Sequence, residues 1–517
     1  MPDKEAYQNI LNKRISRRSM LRGAAALGLG LALGGGIKPS LANEKNPQKP
    51  EEKTPVLDGI LVESLVDDGE TDNSLALQTA IDSCPAGQKL IIPESQKGYM
   101  VKTGVRLKSN IGILGENNNA SFIAPPSPNI FTVFYGPKVE NIEIGGLKIR
   151  STEMPYPRSY DPAHYLGLTS NVRGFQISDS TNAYLHDVEG ENLEYLFKLD
   201  SNVSSQDITI NDIKTNNVHM PVFLGRTKRV RGARWDLGCP DADKTSIYDH
   251  QVYVAGDCED VDVYDVICRK GAGYALQVVG YADQPINNIS FRKVRMKDVG
   301  YGCVTCDYAS NVLFNDVEID GITHVAMGAI GNKPQDNIEF SNFKIKNASG
   351  TDPLFASYFT NGTLLIKNGS LEGPRDGRIL VSSNSHNVVV DNITANNWNP
   401  SNSPLFFVNV GANLSSLTVK NSRFYYSEGA RNSIMSLRGV NHADVYNNNF
   451  ISSAPTSWAV LEGLNIGDLH AYNNEYANWA RLFSVANTQF IDDGNNKDVT
   501  GKLHSVHLSP IVKNYQN

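Results

Sequence analysis

The sequence predicts an all-β solenoid, a chain wound in stacked turns around one continuous core, and three observations carry that prediction. The first is a short pattern that keeps returning: a polar anchor, then apolar residues at anchor+1 and anchor+3. Its anchors fall at Asn110, Asn141, Asn182, Asp207, Asp260, Asn288, Asn311, Asn337, Thr363, Asn387, Ser416, His442 and Asp468, with a period of about 26 residues. Period-two alternation inside such a repeat means short strands, each turn burying its apolar face against the next. The second is composition: 43 Gly, 22 Tyr and 18 Phe in 517 residues, 40% apolar and 20% charged, which is too apolar for disorder and leans to strands. The third is a capped amphipathic segment placed where an end of the solenoid would need covering.

Taken in order, residues 1–42 read as a segment outside the fold. Lys13, Arg14, Arg17 and Arg18 precede an uncharged stretch from Gly23 to Ile37, and Ser40-Leu41-Ala42 supplies a small-x-small cleavage site. Ser16-Arg17-Arg18-Ser19-Met20-Leu21-Arg22 resembles the twin-arginine export signal, which implies a twin-arginine translocase as export partner and a periplasmic or secreted location. Its removal leaves 41 Lys/Arg against 53 Asp/Glu, net −12. That acidic balance disfavours a nucleic-acid partner. The apolar run is short and interrupted by glycines, and no other stretch suits stable membrane insertion. Residues 43–56 read as a linker, 57–500 as the solenoid domain and 501–517 as a C-terminal tail or cap.

Thr71-Asp72-Asn73-Ser74 offers cap residues, and Leu77, Ala80, Ile81 and Cys84 then make one apolar stripe at i, i+3, i+4, i+7, so a short helix is expected to plug the N-terminal end. In the repeat, anchor+1 and anchor+3 predict core columns such as Ile142/Ile144, Ile208/Ile210 and Val312/Phe314. A second pair follows at anchor+6 and anchor+8, as in Leu147/Ile149 and Val317/Ile319, beyond a two-residue bend. The gap of 53 residues between Asp207 and Asp260 reads as two turns. The seven anchor asparagines are expected to stack in a ladder, since Asn tolerates left-handed backbone and bonds its neighbours. The six cysteines give no readable pairing; Cys268 falls in the anchor+8 core column, and Cys303 and Cys306, on one strand, are expected on opposite faces.

The segment Asp67-Asp68-Gly69-Glu70-Thr71-Asp72-Asn73-Ser74 through Asp82, followed by Leu90-Ile91-Ile92-Pro93, resembles the opening of pectate-lyase-like (pectin lyase-like) proteins. With the repeat, the resemblance spans about residues 57 to 480. It implies a single-stranded right-handed parallel β-helix, here of about 12 or more coils, with an N-terminal capping helix. It also implies a polysaccharide groove lined by the strand that precedes each anchor. That column reads Phe197-Lys198-Leu199, Val222-Phe223-Leu224, Val252-Tyr253-Val254, Leu276-Gln277-Val278 and Val304-Thr305-Cys306, so Lys198, Phe223, Tyr253, Gln277 and Thr305 are expected to point outward. Tyr195, Met220, His250, Tyr274 and Gly302 would stand at the bends entering these strands.

Tyr248-Asp249-His250-Gln251-Val252-Tyr253 is the densest site candidate. His250 can exchange a proton near neutral pH, and Tyr253 could act as the complementary acid. Lys198, Arg226, Tyr248, Asp249, Tyr274 and Gln277 are the expected substrate contacts. Arg226, Lys228, Arg229, Arg231 and Arg234 suggest a basic loop for uronate carboxylates. Three functions fit. An exported β-eliminating polysaccharide lyase needs a base and a cation, with Ca2+ a further candidate for that charge, and an epimerase shares its proton abstraction. A glycoside hydrolase needs two spaced carboxyls, and the polygalacturonase-like motifs do not stand at the matching positions. The third is a non-catalytic polysaccharide-binding or exopolysaccharide-assembly protein.

Overall fold

The computed structural model describes residues 59–127, 129–153, 171–240, 249–350, 352–358, 361–375, 378–383, 385–398, 406–408, 414–426, 432–499 and 506–508. The export signal and linker expected in residues 1–56 lie outside them. The described chain is a parallel β-solenoid of about 14 turns, with strands from Ile60–Leu61 to Val506–Leu508. Among these residues no helix is long and apolar enough to cross a membrane.

The solenoid starts where the sequence placed its cap. The helix Ser74–Ser83 buries Leu77 and Ile81, with Ala80 half-buried and Cys84 buried just beyond its end. Acidic residues ahead of it stitch the first turn to the second. Asp67 accepts backbone N–H bonds from Gln96, Lys97 and Gly98 at 2.6–3.0 Å. Burial alone would raise its carboxyl, but those three bonds hold it below the ordinary value. Asp72 accepts from the N–H groups of Ser74 and Lys102.

The core columns are those the repeat predicts. Ile142, Ala183, Ile208, Val230, Val261, Ile289, Val312 and Ile338 pair in unbroken succession, followed by Leu364, Val388, Leu417, Ala443 and Leu469. Because each turn pairs in register, identical residue types stack. Phe291, Phe314 and Phe340 lie 5.7 and 5.4 Å apart with their rings nearly parallel, and Phe134, Phe175 and Phe197 form a second stack at 5.3 and 5.2 Å. Cys268 is in the core, and Cys303 and Cys306 point to opposite faces, the first fully buried. All six cysteines are free thiols.

Corners are made by single residues in the left-handed region. Asn182, Asp187 and Asn192 turn the chain three times, and Asp207, Asp212 and Asn217 repeat the set one turn later. The turn hidden in the long gap has Arg229 as its anchor, at φ 53°, aligned between Asp207 and Asp260. At Thr363, Asn387, Ser416, His442 and Asp468 the anchor is not left-handed, and the corner five residues later takes over, at Asn368, Asn392, Asn421, Asn447 and Asn473. The expected asparagine ladder therefore divides between two columns. Asn182 donates to Asn141, which donates to Asn110, and Asn473 donates to Asn447, which donates to Asn421.

One half-buried charge cluster ties early turns together. His186 lies 2.7 Å from Asp187 and 3.4 Å from Glu143, whose other oxygen meets Lys89 at 2.7 Å. The bond to His186, then that to Lys89, overcome burial and hold Glu143 at about 2. Burial disfavours imidazolium at His186, yet its two carboxylate partners raise its pKa above the ordinary 6.5.

Two outcomes are expected. Phe314→Ala removes the middle of a three-ring stack and should cost about 3–5 kcal/mol of unfolding free energy in denaturant titration; a loss under about 1 kcal/mol would contradict the packing account. Because the His186 pKa is raised in the folded chain, its stabilisation is complete below the unfolded value and fades as pH rises through the folded one. His186→Gln should therefore lower Tm most at acid pH, with the difference shrinking at alkaline pH; a constant difference would show that charge is not involved.

Candidate functional site

One flank of the solenoid is the sheet that precedes the anchors. Phe175, Phe197, Val222, Val252, Leu276, Cys303 and Met327 pair in succession and face the core. The alternate column outside them reads Gln176, Lys198, Phe223, Tyr253, Gln277, Val304 and Gly328. Up to Gln277 this is the expected order. At the next turn Val304, not Thr305, takes the place of Gln277 in this column, though it too is fully buried. Thr305 is fully buried and its hydroxyl donates to Gln335 Oε1 at 2.7 Å. Tyr301 sets the register by stacking on Tyr274, ring centroids 4.5 Å apart, so Tyr301 rather than Gly302 continues the bend column. A slip of one residue exchanges the two faces of a strand.

Rings run along this flank without a break. Tyr195 meets Phe223 at 6.1 Å, Phe223 meets Tyr253 at 5.4 Å, and His250 sits 4.9 Å from Tyr253 and 5.2 Å from Tyr274. Tyr301 then continues to His324 at 4.5 Å. Tyr253 also brings its hydroxyl to within 3.4 Å of that of Tyr281. Cations stand at the N-terminal end of the row: Arg173 lies 5.0 Å over the Tyr195 ring, and Lys198 is 5.8 Å from Tyr195 and 5.7 Å from Phe223. Burial, with Asp352 adding to it, raises the Tyr301 phenol above its ordinary value, so it stays protonated.

Several expected contacts lie beneath this surface instead of on it. His250 is 7% exposed and its neighbours Asp249 and Gln251 are 2% exposed. Asp249 meets the buried His219 at 3.0 Å, and the Gln251 amide donates to the carbonyls of Arg269 and Lys270. This corner is packed against the next one, a consequence of stacking that a single turn of sequence does not show. Gln277 is 8% exposed and turns its amide toward Cys306, whose thiol burial pushes up to about 12. Lys198, Tyr253 and Tyr274 are half-buried and reach solvent. Tyr248 lies outside the described residues.

The basic run is not a loop. It belongs to the strand Met220–Gly238, and three of its five charges meet acidic partners on adjacent turns. Arg229 pairs with Asp207, Arg234 with Asp212, and Lys228 with Asp257 and Glu259. Arg226 donates to the carbonyls of Ser201 and Asn202, and Arg231 to those of Val230 and Asp260. The structure thus gives Arg226 a corner-holding contact and does not bring it to His250.

A feature the sequence reading missed is a cavity of about 670 Å³ lined by Lys97, Lys148, Arg150, Lys214, Arg269 and Lys270, with Glu189 and Glu191 as its acidic residues. Its residues Glu191, Asn216 and Lys270 each precede a ring-flank residue, Tyr195, Met220 and Tyr274, by four positions. The cavity therefore adjoins the rings around one corner, within about 14 Å of chain. The cations come from turns far apart in sequence, which is why no local run announces them.

The described carboxylates of the ring flank are engaged: Glu194 with Arg173, Asp200 with Lys198, Asp249 with His219, and Asp307 with the N–H groups of Asn332 and Lys333. They do not gather the several oxygens that Ca2+ takes.

No family profile matches the chain, and no curated protein matches it in sequence. Among solved structures it is similar to the A-module of the mannuronan C-5 epimerase AlgE6 of Azotobacter vinelandii, at 12% identity and TM-score 0.42, covering 87% of this chain and 99% of that one. The family 28 exopolygalacturonase of Yersinia enterocolitica aligns at 13% identity and TM-score 0.40, over 88% of this chain and 78% of the other. PfbA, a surface adhesin of Streptococcus pneumoniae, aligns at 14% identity and TM-score 0.40, over 82% and 91%.

Proposed function

We propose that the chain takes an acidic polysaccharide along the ring flank and its basic edge, and cleaves it by β-elimination. The observation that carries this reading is the row of rings Phe223, Tyr253, Tyr274 and Tyr301, joined through His250 and backed by the buried Tyr195, beside a concavity holding six Lys and Arg side chains. Aromatic faces suit the apolar faces of sugar rings, and cations suit uronate carboxylates. Strand spacing of about 4.8 Å puts one side chain on each turn, so the row tracks an extended chain of sugars and not a single small molecule.

In this reading His250 and Tyr253 form the proton-transfer pair. The base takes the proton α to the uronate carboxylate; that electron pair becomes the new carbon–carbon double bond as the glycosidic oxygen leaves, protonated by the phenol. Lys198 neutralises charge building on the reacting carboxylate, while the cavity cations hold uronates further along the polymer. Epimerisation would use the same abstraction with return of a proton to the other face. Hydrolysis is less favoured, because the carboxylates of the flank are tied to cations or backbone donors. Non-catalytic binding is the second reading, favoured by the 7% exposure of His250.

Incubation of the mature chain with uronate polysaccharides is expected to give the ultraviolet-absorbing unsaturated product. Tyr253→Phe should cut kcat about 10²-fold or more, while Tyr274→Ala mainly raises KM. Reducing ends without absorbance would point to hydrolysis, and retained binding with no product to the second reading. The proposal includes export through residues 1–42. Replacing Arg17 and Arg18 by Lys should leave the protein in the cytoplasm with residues 1–42 attached; unchanged export would refute a twin-arginine route.

A further inference from the structure

Away from the rings, the sheet that follows the anchor corner holds a compact group of ionisable side chains. The strands Val440–Tyr446 and Asp468–Tyr472 lie on successive turns, with His442 in register with Asp468 and Asp444 with His470. Histidines and aspartates therefore occupy opposite diagonals of a square. His442 Nδ1 is 2.5 Å from Asp468 Oδ2, and His470 Nε2 is 3.5 Å from that same oxygen. Ligand atoms of these three residues all lie within 4.8 Å of one another, the one such gathering among the described residues. On its other side His442 presents Nε2 to Asp444 Oδ2 at 3.0 Å.

We infer that this square is a binding site for a divalent metal of the zinc type, with His442 Nδ1, Asp468 Oδ2 and His470 Nε2 as ligands and Asp444 behind His442. Zinc takes imidazole nitrogen and carboxylate oxygen at about 2.0–2.2 Å in a tetrahedron, so neighbouring ligand atoms stand roughly 3.3–3.5 Å apart. The His470–Asp468 separation already has that value. The His442–Asp468 separation is shorter, that of a direct contact between nitrogen and carboxylate, and would open by about an ångström to admit the ion.

Paired ionic contacts between adjacent turns would explain His442 with Asp468. They do not call for a second imidazole nitrogen aimed at the same oxygen. Nor do they call for a carboxylate on the far nitrogen of the first ring. That last contact is the arrangement that fixes a metal-binding histidine, since Nε2–H donating to Asp444 leaves Nδ1 with its lone pair toward the site. Nitrogen donors favour zinc-like ions over Ca2+ or Mg2+. The side chains are between 29% and 38% exposed, so an ion can enter from solvent and a water can complete its shell. The site bridges two turns of a rigid sheet and needs no other residue to move far.

The test uses the full mature chain, stripped with EDTA and titrated with Zn2+ alone in a calorimeter, alongside melting curves. One ion per chain is expected, with Tm rising with Zn2+ and falling back on chelation. Co2+ in place of Zn2+ should give the visible bands of a tetrahedral nitrogen and oxygen site. Asp444→Asn should weaken binding about 10- to 100-fold without abolishing it. His442→Ala with His470→Ala should abolish it; if that variant does not fold, His470→Gln alone carries the test and should lose most of the affinity. Cys306→Ser serves as a control and should change nothing. Absence of stoichiometric binding would overturn the assignment. So would undiminished affinity in the histidine variants, or affinity that is lost with Cys306.

Discussion

In-register pairing between successive turns is the constraint on which the rest of this molecule depends. Parallel strands about 4.8 Å apart place each residue directly over its equivalent one turn earlier. A column must then be uniformly apolar, uniformly capable of left-handed backbone, or matched in charge. Phe291, Phe314 and Phe340 satisfy the first demand, Asn421, Asn447 and Asn473 the second, and Arg229 over Asp207 and Arg234 over Asp212 the third. No single turn could bury its inner face alone; the stack makes each one stable only in the presence of its neighbours.

That constraint explains what could be read from the sequence. Two apolar residues at fixed distance from an anchor survive insertions between turns, so the core columns were evident from Ile142 to Leu469. The anchor itself was less secure. Arg229 occupies a left-handed corner that a search for Asn, Asp or small polar residues passes over, and a basic residue is accepted there because Asp207 lies beneath it. The corner five residues on is as regular as the anchor and holds Asn or Asp at most turns from Asp187 to Asn473, with Arg234 and Lys293 between, a signal that a search keyed to one anchor per turn passes over. At Val304 and Thr305 the local pattern allowed two registers, and only the stacking of Tyr301 on Tyr274 chooses between them.

The candidate site divides along the same line. Lys198, Phe223 and Tyr253 follow from alternation within single strands and stand where expected. Exposure at corners does not follow from alternation, because it depends on the turns above and below; hence Asp249, His250 and Gln251 are buried under their neighbours. The basic cavity is the extreme case. Lys97 and Lys270 are separated by most of the N-terminal half of the solenoid and share a wall only because the chain winds.

The free cysteines carry a separate consequence. Five of the six are buried, and burial pushes the thiols of Cys239, Cys258, Cys268 and Cys303 up, away from the reactive thiolate. These four thiols should therefore remain silent toward oxidants for as long as the winding holds.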